Sequence, residues 1–127
     1  MIFMSLLTSL VRSRKGAFSN SEDVAAFYKG KNQDKKPILN DPDVERIRRN
    51  HLNDMENIPP FVLIGFLYVL TSPSPEIALW HFRIFAFSRI LHTVSYQLAL
   101  QPWRGLCFGI GLVITISMGW QVIQAVW

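Results

Sequence analysis

Apolar and polar positions are segregated along this chain. Residues 1–11 are apolar, residues 12–57 are polar and charged, and residues 58–127 are mostly apolar. The apolar half is broken by Thr71-Ser72-Pro73-Ser74-Pro75 and by Gln101-Pro102, sequences that turn a chain because proline cannot continue a helix. Runs of helical length lie between the breaks, and the pattern predicts spans over residues 1–11 (partial), 43–70, 76–98 and 103–126. Asp41-Pro42 is a strong helix start, with a capping carboxylate and proline at the first helical position. Pro59 and Pro60 interrupt the second span and predict a kink, since each removes a backbone donor. Asn20-Ser21-Glu22-Asp23 predicts a short helix inside the polar stretch, with acids in its first turn. Residues 29–36, charged and closed by Pro37, predict a solvated loop.

Composition turns this pattern into a membrane reading. Half of the 127 residues are hydrophobic and only 17% are charged, against about a quarter in soluble domains. The apolar residues after position 57 are too many for one soluble core, so a bilayer is the expected solvent. One domain over 1–127 is expected at this length. The apolar start is followed by Arg12, Arg14 and Lys15. A signal peptide has its positive residues before the apolar run, so this segment reads as the last part of a membrane helix. Eleven residues rise about 16 Å against roughly 30 Å of hydrocarbon, which predicts a truncated or alternatively started first span, or one that enters only part of the bilayer.

Charge sets the expected topology. Ten of the thirteen Lys and Arg residues lie between positions 12 and 49. Basic loops favour the cytosolic side, which places loop 12–41 in the cytosol, turn 71–75 in the lumen and turn 99–103 back in the cytosol. The formal charge of +4 and isoelectric point near 9.6 do not indicate nucleic-acid binding, because the remaining sequence is too apolar for a soluble nucleic-acid module. The single Cys107 excludes an intramolecular disulfide, and the three histidines are too scattered for a zinc site.

The predicted spans carry charges that lipid disfavours. Arg49, Asn53 and Glu56 are spaced i, i+4, i+7 on one helical face, and Arg89, His92 and Tyr96 repeat the idea at i, i+3, i+7. Arg48, His51 and Asp54 flank the first set, and Arg104 opens the last span. Intramembrane ions normally pair, so Asp54 and Arg89 are expected as structural or supporting partners. Bases and histidines nevertheless exceed Asp54, Glu56 and Glu76, and surplus inward positive charge favours an anionic ligand. Arginine forks suit carboxylates, a glutamate suits an ammonium, and an asparagine donates and accepts. A small zwitterion with two carboxylates and one amine, such as glutathione, fits that set, and free amino-acid derivatives or a phospholipid headgroup fit it less fully. His81 and Arg83 read as structural or interfacial.

The run Asp43-Val44-Glu45-Arg46-Ile47-Arg48-Arg49-Asn50-His51-Leu52-Asn53-Asp54-Met55-Glu56-Asn57-Ile58 resembles the signature of the MAPEG proteins, membrane-associated proteins in eicosanoid and glutathione metabolism. Ala17-Phe18, Glu22-Asp23, His81-Phe82-Arg83, Arg89-Ile90-Leu91-His92-Thr93-Val94-Ser95-Tyr96 and Gln101-Pro102-Trp103-Arg104 follow in the same order, so the resemblance covers almost the whole chain. It implies an all-α integral membrane four-helix bundle that forms homotrimers in the endoplasmic reticulum or mitochondrial outer membrane. Glutathione, as co-substrate without a metal, would face the cytosol between subunits. The family's glutathione contacts fall on Arg12, Arg48 or Arg49, His51, Asn53, Glu56, His92 and Tyr96, and its thiolate-stabilising arginine falls on Arg104.

Within the family, Arg48-Arg49, Leu52, Gly105 and Phe108 resemble the glutathione transferase branch more than the prostaglandin E synthase branch. The implied activity is conjugation of the glutathione thiolate to lipophilic electrophiles, with glutathione-dependent reduction of lipid hydroperoxides. The synthase reaction and a non-catalytic, lipid-binding role are the alternatives. Val24 stands where the transferase branch has a reactive loop cysteine, which removes activation by thiol reagents from the expectation.

Overall fold

Each helix end in this protein has a local cause. The computed structural model describes residues 2–29, 38 and 40–127, and among these it has five helices and no strand. They are α1 (Ile2–Lys15), α2 (Ser21–Phe27), α3 (Pro42–Leu70), α4 (Pro75–Gln97) and α5 (Trp103–Val126). The charged loop expected over 29–36 lies, apart from Lys29, outside the described residues. The chain forms two compact units, Met1–Leu52 and Asn53–Trp127.

In the first unit, α1 runs four residues beyond the expected boundary at position 11. The basic residues Arg12, Arg14 and Lys15 fill its last turn, where positive charge complements the helix dipole. Gly16, at φ +61°, ends it in the left-handed conformation, and the Ala17 amide bonds back to the Arg12 carbonyl at 3.0 Å, a Schellman closure. A methyl group at Gly16 would also meet the Tyr28 hydroxyl at 2.0 Å. The α2 helix starts where Asn20 predicts, with the Asn20 amide on Asp23 at 3.1 Å. Asp41 caps α3: its Oδ1 accepts from the Asp43 and Val44 amides at 3.0 and 3.1 Å. Lys15 pairs with Asp41 at 3.2 Å and with Asp43. The Val44 amide, joined by Lys15 and the Asp43 amide, holds the Asp41 carboxyl below its usual range, while Asp43 and Asp41 raise the Lys15 ammonium.

The second unit packs α3, α4 and α5 around an apolar centre. Phe61, Tyr68, Ala78, Phe85 and Met118 are buried there, backed by Ile58, Ile64, Phe82, Ile114 and Val122. Phe61 stacks on Phe85 at 3.5 Å between ring centroids. Gly65 permits the close approach of α3 and α4, since a methyl group there would stand 2.9 Å from the Phe82 ring. Pro59 and Pro60 sit inside α3, which continues as one helix to Leu70. The α4 helix closes on the chain's second Schellman turn: the Ala99 amide reaches the Tyr96 carbonyl at 3.2 Å and the Leu100 amide the Ser95 carbonyl at 2.8 Å. Ala99 occupies the left-handed position at φ 55°, where glycine is usual.

The outer surface of this unit is the reverse of a soluble protein's. Val62, Leu63, Phe66, Phe87, Ile90, Val113, Ile116 and Trp120 are exposed, while Asp54, Ser88, Arg89, His92 and Ser95 are buried. The α5 helix has a mean hydropathy of 1.9 with only 17% of that stretch buried. A core helix of that hydropathy hides in a soluble protein, whereas an exposed one belongs in lipid. Among the described residues it alone is long and apolar enough to cross a membrane by composition. The charges on α3 and α4 explain why those two do not qualify.

Two outcomes test these helix ends. Ala99→Gly is expected to stabilise the protein by about 1 kcal/mol, because the left-handed conformation costs an L-residue roughly 1–2 kcal/mol and glycine loses part of that gain in the unfolded chain; the midpoint of denaturation in mixed micelles reads it. The Asp41 cap, whose carboxyl titrates below the ordinary 3.8, contributes stability above that pH and loses it as pH falls through the lowered value. The amide resonances of Asp43 and Val44 are therefore expected to hold their positions down to about pH 4 and to shift only below it.

Candidate functional site

Among the described residues, one face of α4 carries the densest polar burial. Phe85, Ser88, Arg89, His92 and Ser95 recur at helical spacing and all are buried. Arg89 is 6% exposed and forms an ion pair with Asp54, which is 3% exposed. The same Arg89 nitrogen donates to Asn53 Oδ1 at 2.8 Å. Asn53 also holds its own helix, its carbonyl accepting from the Asn57 amide nitrogen at 2.7 Å. Neither charge would be tolerable alone in a low-dielectric interior, so α3 and α4 are held together at this level.

One turn further along α4, His92 lies 5.6 Å from the Tyr96 ring, and the Arg104 guanidinium, from α5, sits 4.7 Å over the same ring. Arginine favours such aromatic faces. Among the described residues no carboxylate pairs with Arg104. Arg89 Nε, His92 Nδ1 and Gln97 Nε2 are buried without a hydrogen-bond partner in the protein. An unmet buried donor or acceptor costs about 1–3 kcal/mol, so three on neighbouring turns mark a place suited to a polar ligand.

The other end of the same unit is different. His81 Nδ1 lies 2.8 Å from the Ile77 carbonyl, and its Nε2 lies 3.1 Å from Ser117 Oγ. Tyr68 donates to Gln121 at 3.2 Å, and Gln121 donates to the Ser117 carbonyl at 3.3 Å. These polar groups are mutually satisfied and tie three helices together, which suits the structural role expected of His81.

In the first unit, Arg12, Arg48 and His51 line a cavity of about 450 Å³ with Ser5, Thr8, Ser9, Phe18 and Asp23. Arg12 Nε and His51 Nδ1 are buried without partners. Arg48 also reaches Glu45 at 3.4 Å.

The sequence-predicted residues thus fall into three groups. Asn53, Asp54 and Arg89 meet, as do His92, Tyr96 and Arg104, and as do Arg12, Arg48 and His51. Arg49 and Glu56 join none of these. Arg49 is exposed and its Nε donates to the Glu45 carbonyl of its own helix at 3.2 Å, and Glu56 is exposed. Sequence reasoning did not single out Asn50, Asp23 or Gln97. Asn50 is fully buried on the stripe of Val44 and Ile47, and a polar residue at an apolar spacing was its signal. Asp23 reads locally as a first-turn acid, and nothing local distinguishes Gln97. Among the described residues no cluster of His, Cys, Asp and Glu has the arrangement of a metal site.

A lipid-facing helical protein with buried arginines and histidines is the class this architecture defines. The chain belongs to the MAPEG family, whose pattern it matches over residues 1–124. It is 48% identical over 126 residues to microsomal glutathione S-transferase 1 of Mus musculus, an alignment covering 98% of this chain and 81% of that protein. The Homo sapiens protein of the same name is 46% identical with the same coverage. Prostaglandin E synthase of Bos taurus is 40% identical over 124 residues, 97% of this chain and 78% of that protein.

The buried pair gives an expected outcome. Arg89→Leu, which strands Asp54, is expected to cost about 3–5 kcal/mol of stability. Adding Asp54→Leu to it should recover a large part of that loss. Denaturation midpoints of the two single variants and the double variant measure the coupling, and equal, additive losses would exclude a direct pair.

Proposed function

We propose that this chain is a membrane-bound glutathione transferase that conjugates the glutathione thiolate to lipophilic electrophiles reaching it from the bilayer. The observation that carries the reading is Arg104, a half-buried guanidinium without a carboxylate partner among the described residues, set against Tyr96 beside the polar face of α4. The relatives support it: identity is higher to microsomal glutathione S-transferase 1 than to prostaglandin E synthase.

A thiol has a pKa near 8.5, and only its thiolate is a strong nucleophile. A guanidinium close to the sulfur favours the charged form, at about 1.4 kcal/mol per unit of pKa depression. Arg104 supplies that charge. The thiol proton leaves to solvent, the thiolate attacks the electrophilic carbon, the carbon–sulfur bond forms and the leaving group departs as an anion. With a chlorinated nitrobenzene that anion is chloride. A lipid hydroperoxide instead accepts two electrons from two glutathione molecules, which leave as the disulfide while the hydroperoxide becomes an alcohol and water. Arg12, Arg48 or Arg49, His51, Asn53, Glu56, His92 and Tyr96 are the proposed glutathione contacts. For Asn53 that contact is in addition to its bond with Arg89.

The setting we propose is a homotrimer in the endoplasmic reticulum or mitochondrial outer membrane, with its glutathione site facing the cytosol. Glutathione-dependent prostaglandin E synthesis is the second reading, supported by the 40% identity to that synthase, and assay with the endoperoxide separates it. A non-catalytic lipid binder would bind without turning over glutathione and a chlorinated nitrobenzene.

Arg104→Leu is expected to keep glutathione binding and to lose the thiolate absorbance near neutral pH. Its conjugation rate at pH 7 should fall roughly 30-fold, the loss of thiolate when a thiol ionised below pH 7 returns to its ordinary pKa near 8.5. The variant's rate should then climb about tenfold per pH unit toward 8.5, where the wild-type protein is already flat. An undiminished thiolate signal in the variant overturns the role of Arg104.

A further inference from the structure

On the second unit, away from the polar face, α4 and α5 enclose an apolar groove of about 590 Å³. Trp80, Phe87, Leu91, Cys107 and Ile110 line it, and Arg83 joins Trp80 on the side nearest the start of α4. Ser88 also borders it, but its hydroxyl donates to the Phe85 carbonyl at 2.8 Å, leaving the interior without a free polar group from that residue. Nothing in this groove belongs to the glutathione contacts proposed above.

Two features identify an occupant. The first is charge. The exposed Arg83 guanidinium lies 5.8 Å from the Trp80 ring, and among the described residues no carboxylate pairs with it. A cation in an otherwise apolar wall calls for an anion at the groove's mouth. Tryptophan with arginine is the usual composition of the membrane–water boundary. The second is length. Trp80 to Leu91 on α4 corresponds to about 16 Å, half of the roughly 30 Å hydrocarbon core. An occupant entering at the Arg83 end therefore reaches the middle of the bilayer and no further, which is the reach of one acyl chain from one leaflet.

We propose that this groove binds one acyl chain of an anionic glycerophospholipid from the leaflet at the turn between α3 and α4, with Arg83 holding the headgroup phosphate. Trp80 covers the glycerol region, Phe87 and Leu91 carry the chain, and Cys107 and Ile110 on α5 form its floor. The guanidinium fork suits phosphate oxygens better than a point charge does. The lipid is a fitted component of the protein's surface, distinct from the substrate electrophile.

Native mass spectrometry of the detergent-purified protein, titrated with dioleoyl phosphatidylglycerol or dioleoyl phosphatidylcholine, tests this. The wild-type protein is expected to retain the phosphatidylglycerol at least fivefold more than the phosphatidylcholine. Arg83→Gln should bring that ratio close to one, and Arg83→Lys should leave it in between. Ala86→Trp, which fills the groove from its α4 wall, should lower retention of both lipids several-fold. Equal retention of the two lipids by the wild-type protein, or unchanged selectivity in Arg83→Gln, overturns the proposal. Loss of the oligomer in Ala86→Trp by light scattering, with lipid selectivity unaffected by Arg83→Gln, assigns the groove to contact between copies of this chain instead. Conjugation of a chlorinated nitrobenzene is expected to survive Arg83→Gln, which separates failure here from failure of the transferase reading.

Discussion

A carboxylate and a guanidinium buried among helices that turn leucine and phenylalanine outward set the terms for the unit Asn53–Trp127. Asp54 and Arg89 are each less than a tenth exposed, and in a medium of low dielectric neither is stable as an ion without the other. Their pairing fixes the level at which α3 meets α4. From it the antiparallel register follows: Phe61 stacks on Phe85, and Tyr68 lies 5.4 Å from His81. Gly65 sits between these contacts, where a side chain would collide with Phe82.

The same pair decides which positive charge beside the polar face of α4 is left without an acid. Arg89 spends one nitrogen on Asp54 and Asn53, so its charge is neutralised within the fold. Among the described residues Arg104 has an aromatic neighbour and no acid. The two ends of the unit differ accordingly. Around His81, Ser117, Gln121 and Tyr68 the polar groups satisfy one another. Around Arg89, His92 and Gln97 they leave nitrogen atoms without partners. That contrast between a satisfied end and an unsatisfied one is what supports placing the proposed binding site at the second.

Helix boundaries were legible in the sequence because their causes are local. Asp41-Pro42, Asn20 and the proline-rich turn act through neighbours within four residues, and the helices begin where those residues predict. The apolar run 1–11 marks only the apolar part of α1; the helix itself runs on to Lys15, where a glycine able to adopt positive φ ends it. The polar faces were legible only in part. Spacing places Arg49, Asn53 and Glu56 on one side of α3, but the spacing of polar residues alone does not say which side of that charged half faces inward. Asn53 turned to Arg89, while Arg49 turned back to its own backbone. The stripe of Val44, Ile47 and Asn50, continued by Asp54, was the more informative pattern, because burial follows the apolar spacing and carries the polar members with it.

Arg83 and Arg104 show how far residue type alone goes in assigning a role. Both lie against an aromatic ring, at 5.8 and 4.7 Å, and neither has a carboxylate partner among the described residues. A guanidinium offers the same fork in both places. What differs is the wall beside it. Next to Arg104 stands the face of α4 that buries Arg89, His92 and Ser95, where a small polar anion finds further hydrogen-bonding groups. Next to Arg83 stand Phe87, Leu91 and Ile110, where only an anion with a long apolar tail finds contacts. In both proposals the charge selects for an anion, and the surrounding surface selects which kind.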